Sequence, residues 1–430
     1  MNRIRPPNPL LIIGLDGVPI ELVRRYCENG TMPVLAGLLD GHAAKAMTVS
    51  LPDVSAVSWS GFMTGRDSGH HGIFGFTDLE EPGYRIRFPD SRDLKITPFF
   101  MQPRLRSIVI NLPATYPARP FNGILIAGFV APSLERAVWP PHLYPLVRES
   151  GYMVDIDCGH AHEDPDPFLS ELHTALHQRL ELSLHLMQHE KWDLFMFTVT
   201  GTDRLHHFYF DAWDQENHSR HGDFVAYYTE LDRVLGELLQ QARSRGNPDW
   251  MILSDHGFAP LLTQVNINPI LCEWGFAEFQ PPEPDSEILP VSRSRAFALD
   301  PGRIYINTKD RFRQGKVDPD EKKGLLDELT AGFKQLEWNG RPVIRTVHRA
   351  DAIYAAPLRH RAPDLVLEGM PGFDLKAGFS RRSAFSIDRF RGTHRRDNAF
   401  IATSRPHLIA ADPSIFQVRG IAEIMLKSRD

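Results

Sequence analysis

Four runs of almost unbroken apolar residues constrain this chain more than any other feature: LLIIGL at 10–15, SIVINL at 107–112, DLFMFTVT at 193–200 and WMILS at 250–254. A strand with one wet face alternates apolar and polar residues; a strand buried on both faces does not. The runs are therefore expected as strands of a covered, mostly parallel sheet. Between them lie patterns of helical period, clearest at about 167–190 and 222–245. Strands alternating with long helices make an α/β fold, with a mostly parallel central sheet sandwiched by helices.

At 430 residues the chain has room for two or three domains. The Pro- and charge-rich stretch QPPEPDSEILPVSRSR, near 280–300, reads as a surface connection that opens an insertion. RIYINTKDR and PDLVLEG are strand-like but lie apart from the main pattern. The expected organisation is 1–280 as the first part of the α/β core, 281–385 as an inserted smaller α+β subdomain or cap, and 386–430 as the last part of the core.

The 48 basic and 54 acidic residues are well mixed, so no basic patch argues for nucleic acid. Cys27, Cys158 and Cys272 share no CxxC spacing, which fits a reducing compartment and excludes a thiolate-rich metal site. The apolar run at the start of the chain is too short for a signal peptide's apolar region or a membrane span. A cytoplasmic protein is expected.

The strand ends carry the chemistry. LLIIGL ends at Asp16-Gly17, DLFMFTVT runs into Gly201-Thr202-Asp203, and WMILS ends at Asp255-His256-Gly257. In open parallel sheets ligands bind at the carboxyl ends of the strands. A single aspartate there is as readily a helix cap or a turn residue. Three, two of them with a histidine nearby, point to a metal or phosphate site. Asp203 and His207 are four apart, which on a helix puts them on one face within reach of one ion; His206 would point about 100° away. Oxygen and nitrogen donors without thiolate suit zinc or manganese.

LPDVSAVSWSGFMTG, at 51–65, reads as a short helix with Ser55 at its N-terminus and Gly65 at its C-cap end. Ser55 is there either as an N-cap, satisfying a backbone N–H, or as a nucleophile at an end of a helix that favours anions.

Together LIIGLDGV, SLPDVSAVSWSGFMTGRDSGHHGIFGF, TGTDRLHHF, ILSDHGF and RGTHRRDNAFIA resemble the alkaline phosphatase superfamily. The likeness is to its type I phosphodiesterase/nucleotide pyrophosphatase branch, and within it to soluble predicted phosphohydrolases or phosphomutases. It runs from about residue 10 to 426 and implies an alkaline-phosphatase-like fold with two divalent cations, zinc or manganese. The resemblance implies Asp203, His207 and His394 as ligands of one cation, and Asp16, Asp255 and His256 as ligands of the other. The second cation would also bind the nucleophile, which falls at Ser55. His394 lies 138 residues beyond His256, and only the family pattern marks it as a ligand rather than a surface turn residue. His70 and His71 fall at a His-Gly turn and are expected to be structural.

The resemblance implies hydrolysis of a small phosphorylated substrate through a phosphoserine intermediate. Two alternatives stand beside it: a phosphomutase using the same site, and a non-catalytic protein that binds phosphorylated ligands. Monoester against diester is open. The asparagine that contacts a phosphate oxygen in the nucleotide pyrophosphatases aligns by distance with Phe76, which donates no hydrogen bond. Arg204, Arg311 and Arg395 are the candidates for a phosphate-binding arginine. The lack of a C/S-x-P-x-R pattern around Ser55 argues against a sulfatase. Many relatives continue past VRGIAEIML with a Gly/Pro-rich tail, so a more open site is expected. Oligomeric state is not readable from the sequence.

Overall fold

The structure, a computed structural model, describes residues 8–40, 44–159, 161, 163–279, 287–354, 357–387 and 389–427. It divides into two compact units: Met1–Arg66 with Asp90–Phe258 and Phe390–Asp430, and Asp67–Pro89 with Ala259–Arg389. The Pro- and charge-rich stretch expected near 280–300 lies in part, at 280–286, outside the described residues.

The first unit is built on an eight-stranded sheet. In chain order its strands are β1 (Leu10–Leu15), β2 (Lys45–Met47), β3 (Ser107–Leu112), β4 (Gly123–Ala127), β5 (Val138–Trp139), β6 (Leu194–Val199), β7 (Asp249–Leu253) and β8 (Ala399–Thr403). Their order across the sheet is β2-β8-β7-β1-β6-β3-β4-β5. The five strands from β7 to β4 run parallel, and the edges are antiparallel. β1 is central, pairing Leu10 with Leu194 on one side and with Asp249 on the other. Every residue of β1, β3, β6 and β7 is buried, which is why these strands show no alternation.

Four helices position the site or cover the sheet: α1 (Ser55–Thr64), α2 (Pro165–His189), α3 (Gly201–Tyr209) and α4 (His221–Arg243). The two long ones match the expected periodic segments closely. α1 is buried on all sides, as its unbroken small and apolar composition requires, and Gly65 ends it with φ 66°. Gly14 admits α1 against the sheet: a Cβ there would stand 2.5 Å from the indole of the fully buried Trp59. Gly201 admits α4 against the start of α3, since a Cβ would meet the Tyr227 hydroxyl at 2.2 Å. No helix among the described residues is long and apolar enough to cross a membrane.

The second unit is α+β. A four-stranded sheet, in the order Ala296–Leu299, Arg303–Ile306, Leu365–Gly369, Ile344–Arg349, shares a core with the helix Lys322–Lys334 through Ile304, Ile306, Leu365, Leu325, Leu329 and Phe333. This unit is wider than the segment expected at 281–385. The strand Thr263–Asn266 pairs with Phe373–Lys376 and Phe385–Ser386, which carries the boundary back to Ala259. Residues 67–89 join it because Tyr84 stacks on Phe312 and donates a hydrogen bond to Asn307 Oδ1 at 2.8 Å. Composition carried no signal of this strand pairing.

Candidate metal centre

Six donor side chains and one hydroxyl converge at the carboxyl ends of β1, β6 and β7. Asp16 is the first residue after β1, Asp203 lies in the first turn of α3, and Asp255 and His256 follow β7. His207 is one turn along α3 from Asp203, and His394 arrives on the strand Gly392–Arg395. Asp16, Asp255 and His256 form one group of mutually close donors. Asp203, His256 and His394 form another, and His207 joins it: its Nε2 lies 3.3 Å from Asp203 Oδ2 and 3.1 Å from His394 Nε2. His394 Nε2 is also 3.3 Å from Asp203 Oδ2. His256 stands between the two groups, its Nε2 3.4 Å from Asp16 Oδ1 and 3.9 Å from Asp203 Oδ2.

Ser55 is the first residue of α1, with Val54 at the cap position and no side-chain cap bond. The capping alternative is therefore not what its hydroxyl does. Ser55 Oγ donates to Asp16 Oδ1 at 3.2 Å and lies 3.3 Å from His256 Nε2. Nucleophile candidate and donor cluster meet at the positive end of α1.

Surrounding groups hold one atom each of His394, His256, Asp16 and Asp255 and leave the other toward the cluster. His394 Nδ1–H donates to the Asp53 carbonyl at 2.9 Å, which directs Nε2 inward. His256 Nδ1 does the same with the Gly257 carbonyl at 3.1 Å. Trp59 Nε1 donates to Asp16 Oδ2 at 3.2 Å, leaving Oδ1 toward Ser55. Gly17 N–H donates to Asp255 Oδ1 at 3.2 Å. Thr202 Oγ1 donates to the Asp16 carbonyl at 2.6 Å and ties the end of β1 to the start of α3.

These supports were not found in the sequence reading. Trp59 carried the one legible signal, being four residues from Ser55 and so on the same helical face.

Three buried carboxylates this close together oppose one another. Burial, and then the negative charge of Asp16, push the Asp255 carboxyl well above the usual carboxylate range. Burial would lower His256, but Asp255 and Asp16 draw it up to about 10. His394 goes the other way, to about 3, through burial and the neighbouring His256. Burial would raise Asp203, yet His207, His394 and Arg204 hold it well below the ordinary value. Asp203 Oδ2 and Asp255 Oδ2 are buried and have no hydrogen-bond partner. A buried carboxyl oxygen without a hydrogen bond is costly, and a cation bound to it removes the cost. The donor set fits divalent metal: carboxylate and imidazole, no thiolate.

The rival imidazole, His206, serves the frame. It is fully buried, its Nδ1–H donates to the Gly17 carbonyl at 2.9 Å, and its Nε2 accepts from the Tyr228 hydroxyl at 2.7 Å. Burial pushes its pKa down to about 3, against about 6.5 in an unfolded chain. A depressed folded value means the unfolded state takes up protons first as pH falls. Its contribution is complete above about pH 6.5 and is lost between there and pH 3, by at most about 1.4 kcal/mol per pH unit. The urea-midpoint advantage of the metal-free wild type over a metal-free His206→Gln variant is expected to shrink from pH 7.5 to pH 5, and a difference independent of pH would contradict the assignment of His206 as neutral.

The arginine candidates are differently placed. Arg204 donates to Asp203 Oδ1 at 2.8 Å and to both oxygens of Asp155, so each of its three nitrogens is turned to a protein carboxylate. Arg395 donates to Asp397 Oδ1 at 2.5 Å. Arg311 lies in the second unit and donates to Glu81 and to the carbonyls of Ala362 and Arg361. Phe76 is half-buried in that unit. There too, His70 Nδ1 lies 2.8 Å from Asp67 Oδ2, and the buried His71 accepts from the Ile73 N–H at 3.2 Å.

A family model described as type I phosphodiesterase/nucleotide pyrophosphatase matches residues 10–395. Among solved structures, phosphonoacetate hydrolase from Sinorhizobium meliloti 1021 in complex with phosphonoformate is similar at 15% identity and TM-score 0.67, with 98% of this chain and 96% of that chain covered. Murine ectonucleotide pyrophosphatase/phosphodiesterase 5, an inactive form in complex with AMP, is similar at 11% identity and TM-score 0.58, covering 98% and 96%. The human protein of that name gives 12% identity and TM-score 0.54, covering 98% and 95%. No curated protein matches the sequence. At such identities the structural likeness speaks for the fold, an α/β architecture of the alkaline phosphatase kind.

Proposed function

The chain belongs to the type I phosphodiesterase/nucleotide pyrophosphatase family, whose members are phosphoester hydrolases, and from that premise we propose that it hydrolyses a small phosphorylated substrate through a phosphoserine at Ser55. The observation that carries the reading is the convergence of six metal-competent donors, two of them beside a serine hydroxyl at a helix N-terminus. Asp203, His207 and His394 would hold one divalent cation, and Asp16, Asp255 and His256, with Ser55, the other. Bound there, zinc or manganese would supply positive charge for the phosphoryl oxygens and favour the ionised serine.

The chain's own groups do the rest. Ser55 Oγ forms a bond to phosphorus as the ester P–O bond breaks, and the serine proton ends on the departing ester oxygen. Water then attacks the phosphoserine, the bond from Ser55 Oγ to phosphorus breaks, a proton of that water passes to Ser55, and phosphate departs. Asp16 aims the hydroxyl through the 3.2 Å hydrogen bond, and the positive N-terminal end of α1 favours the anion. A cytoplasmic setting belongs to the same reading, supported by three free and widely separated cysteines.

The test is hydrolysis of p-nitrophenyl phosphate, bis-p-nitrophenyl phosphate and phosphonoacetate by zinc- or manganese-loaded protein, before and after chelation. Phosphonoacetate is included because a protein of similar fold is named for its hydrolysis. Turnover of at least one compound, lost on chelation and restored by metal, is the expected outcome. Verified metal binding with turnover of none would remove the hydrolase reading and leave a binding role.

A further inference from the structure

Asp203 is presented to the donor cluster by a neighbour that cannot itself bind a cation. Arg204, the next residue on α3, donates through Nη1 to Asp203 Oδ1 at 2.8 Å. Its other side grips Asp155 with two bonds, Nε to Oδ1 at 3.2 Å and Nη2 to Oδ2 at 2.7 Å. The guanidinium also lies over the Phe129 ring, 4.5 Å from its centroid. Two bonds and a stacked face fix the orientation of the fork, so the Nη1–H that reaches Asp203 has little freedom. Asp203 Oδ1 is thereby occupied, while Oδ2 has no hydrogen bond and faces His207 and His394 at 3.3 Å each.

We infer that Arg204 is a positioning residue for the cation at Asp203, His207 and His394: braced by Asp155 and Phe129, it restricts Asp203 to a single ligating oxygen. The inference rests on the two-cation reading of the centre and deepens it. Arg204 was a candidate for binding substrate phosphate; the geometry assigns it to the ligand instead.

The sign of the effect separates this from simple electrostatics. A fixed positive charge beside a metal site repels the metal, so if charge were all that mattered, Arg204→Gln would tighten binding. If positioning dominates, the same change frees Asp203 to turn away and binding weakens. Loss of an outer partner of a metal ligand typically costs about 10–100-fold in affinity.

The experiment is a zinc titration of the full chain in competition with a chelator of known affinity. Asp203→Asn identifies which of two uptake steps belongs to this site. Arg204→Gln is expected to weaken that step about 10–100-fold and leave the other unchanged. Arg204→Lys keeps the charge and loses the two-bond brace, so it is expected to fall between. A role confined to packing would lower the melting temperature of the metal-free protein without changing the ratio of the two affinities.

Should Arg204→Gln fail to fold, Asp155→Asn tests the brace from its more exposed end and is expected to weaken the same step several-fold. Unchanged or tighter binding in a folded variant overturns the inference and leaves the two-cation reading intact. Uptake of fewer than two cations by the wild type, or an Asp203→Asn protein that loses none, overturns that reading and this inference with it.

Discussion

Ser55→Ala is expected to take up both cations and to lose turnover by about 1000-fold or more. The serine is buried at the first position of α1, and its hydroxyl caps nothing. Its contacts are Asp16 Oδ1 and His256 Nε2, two groups of the same donor cluster. Alanine keeps the helix, so the frame should survive. Six donors remain for the metals, so occupancy should survive as well. What disappears is the atom that bonds to phosphorus.

Ser55→Thr restores that atom with one added methyl, and threonine fills this place in part of the family. It is expected to recover measurable turnover. Acid quenching during turnover, followed by intact-mass measurement, should show a phosphorylated wild type and an unmodified Ser55→Ala. A Ser55→Ala protein with full rate and verified metals would remove the serine from the mechanism.

Legibility followed distance along the chain. The sheet could be read from strands so buried that they do not alternate, and the donors at their ends came with them: Asp16, Asp203, Asp255 and His256 each sit within four residues of a strand. Local period also placed His207 beside Asp203. His394 could not be read this way, because its place depends on a strand far downstream and on the carbonyl of Asp53. Nor could the brace on Arg204, since Asp155 lies in an irregular segment 49 residues earlier and composition says nothing of ion-pair partners. The second unit's boundary was hidden for the same reason, as Thr263–Asn266 finds its partners more than a hundred residues later.

Removing metal is expected to expose what the cluster costs. With the carboxylates of Asp16, Asp203 and Asp255 buried around one imidazole, the metal-free protein relieves repulsion by protonation. The Asp255 carboxyl is raised well above its ordinary value, and His256 is raised to about 10. An asparagine has nearly the shape of a protonated aspartate and still accepts the Gly17 N–H at Oδ1. Metal-free Asp255→Asn is therefore expected to melt at or above metal-free wild type, although a fully buried residue has been changed.

With metal the order reverses. Each occupied site adds about 2.7 kcal/mol when free metal is 100 times its dissociation constant, so wild type gains about 5 kcal/mol from two sites and the variant about half of that. Binding must also displace the protons that had quieted the cluster. Titration calorimetry in buffers of different ionisation enthalpy should show more protons released by wild type than by Asp255→Asn. Equal release, or a metal-free variant that melts well below wild type, would mean that Asp255 is held by ordinary packing and that the cluster was never waiting for a cation.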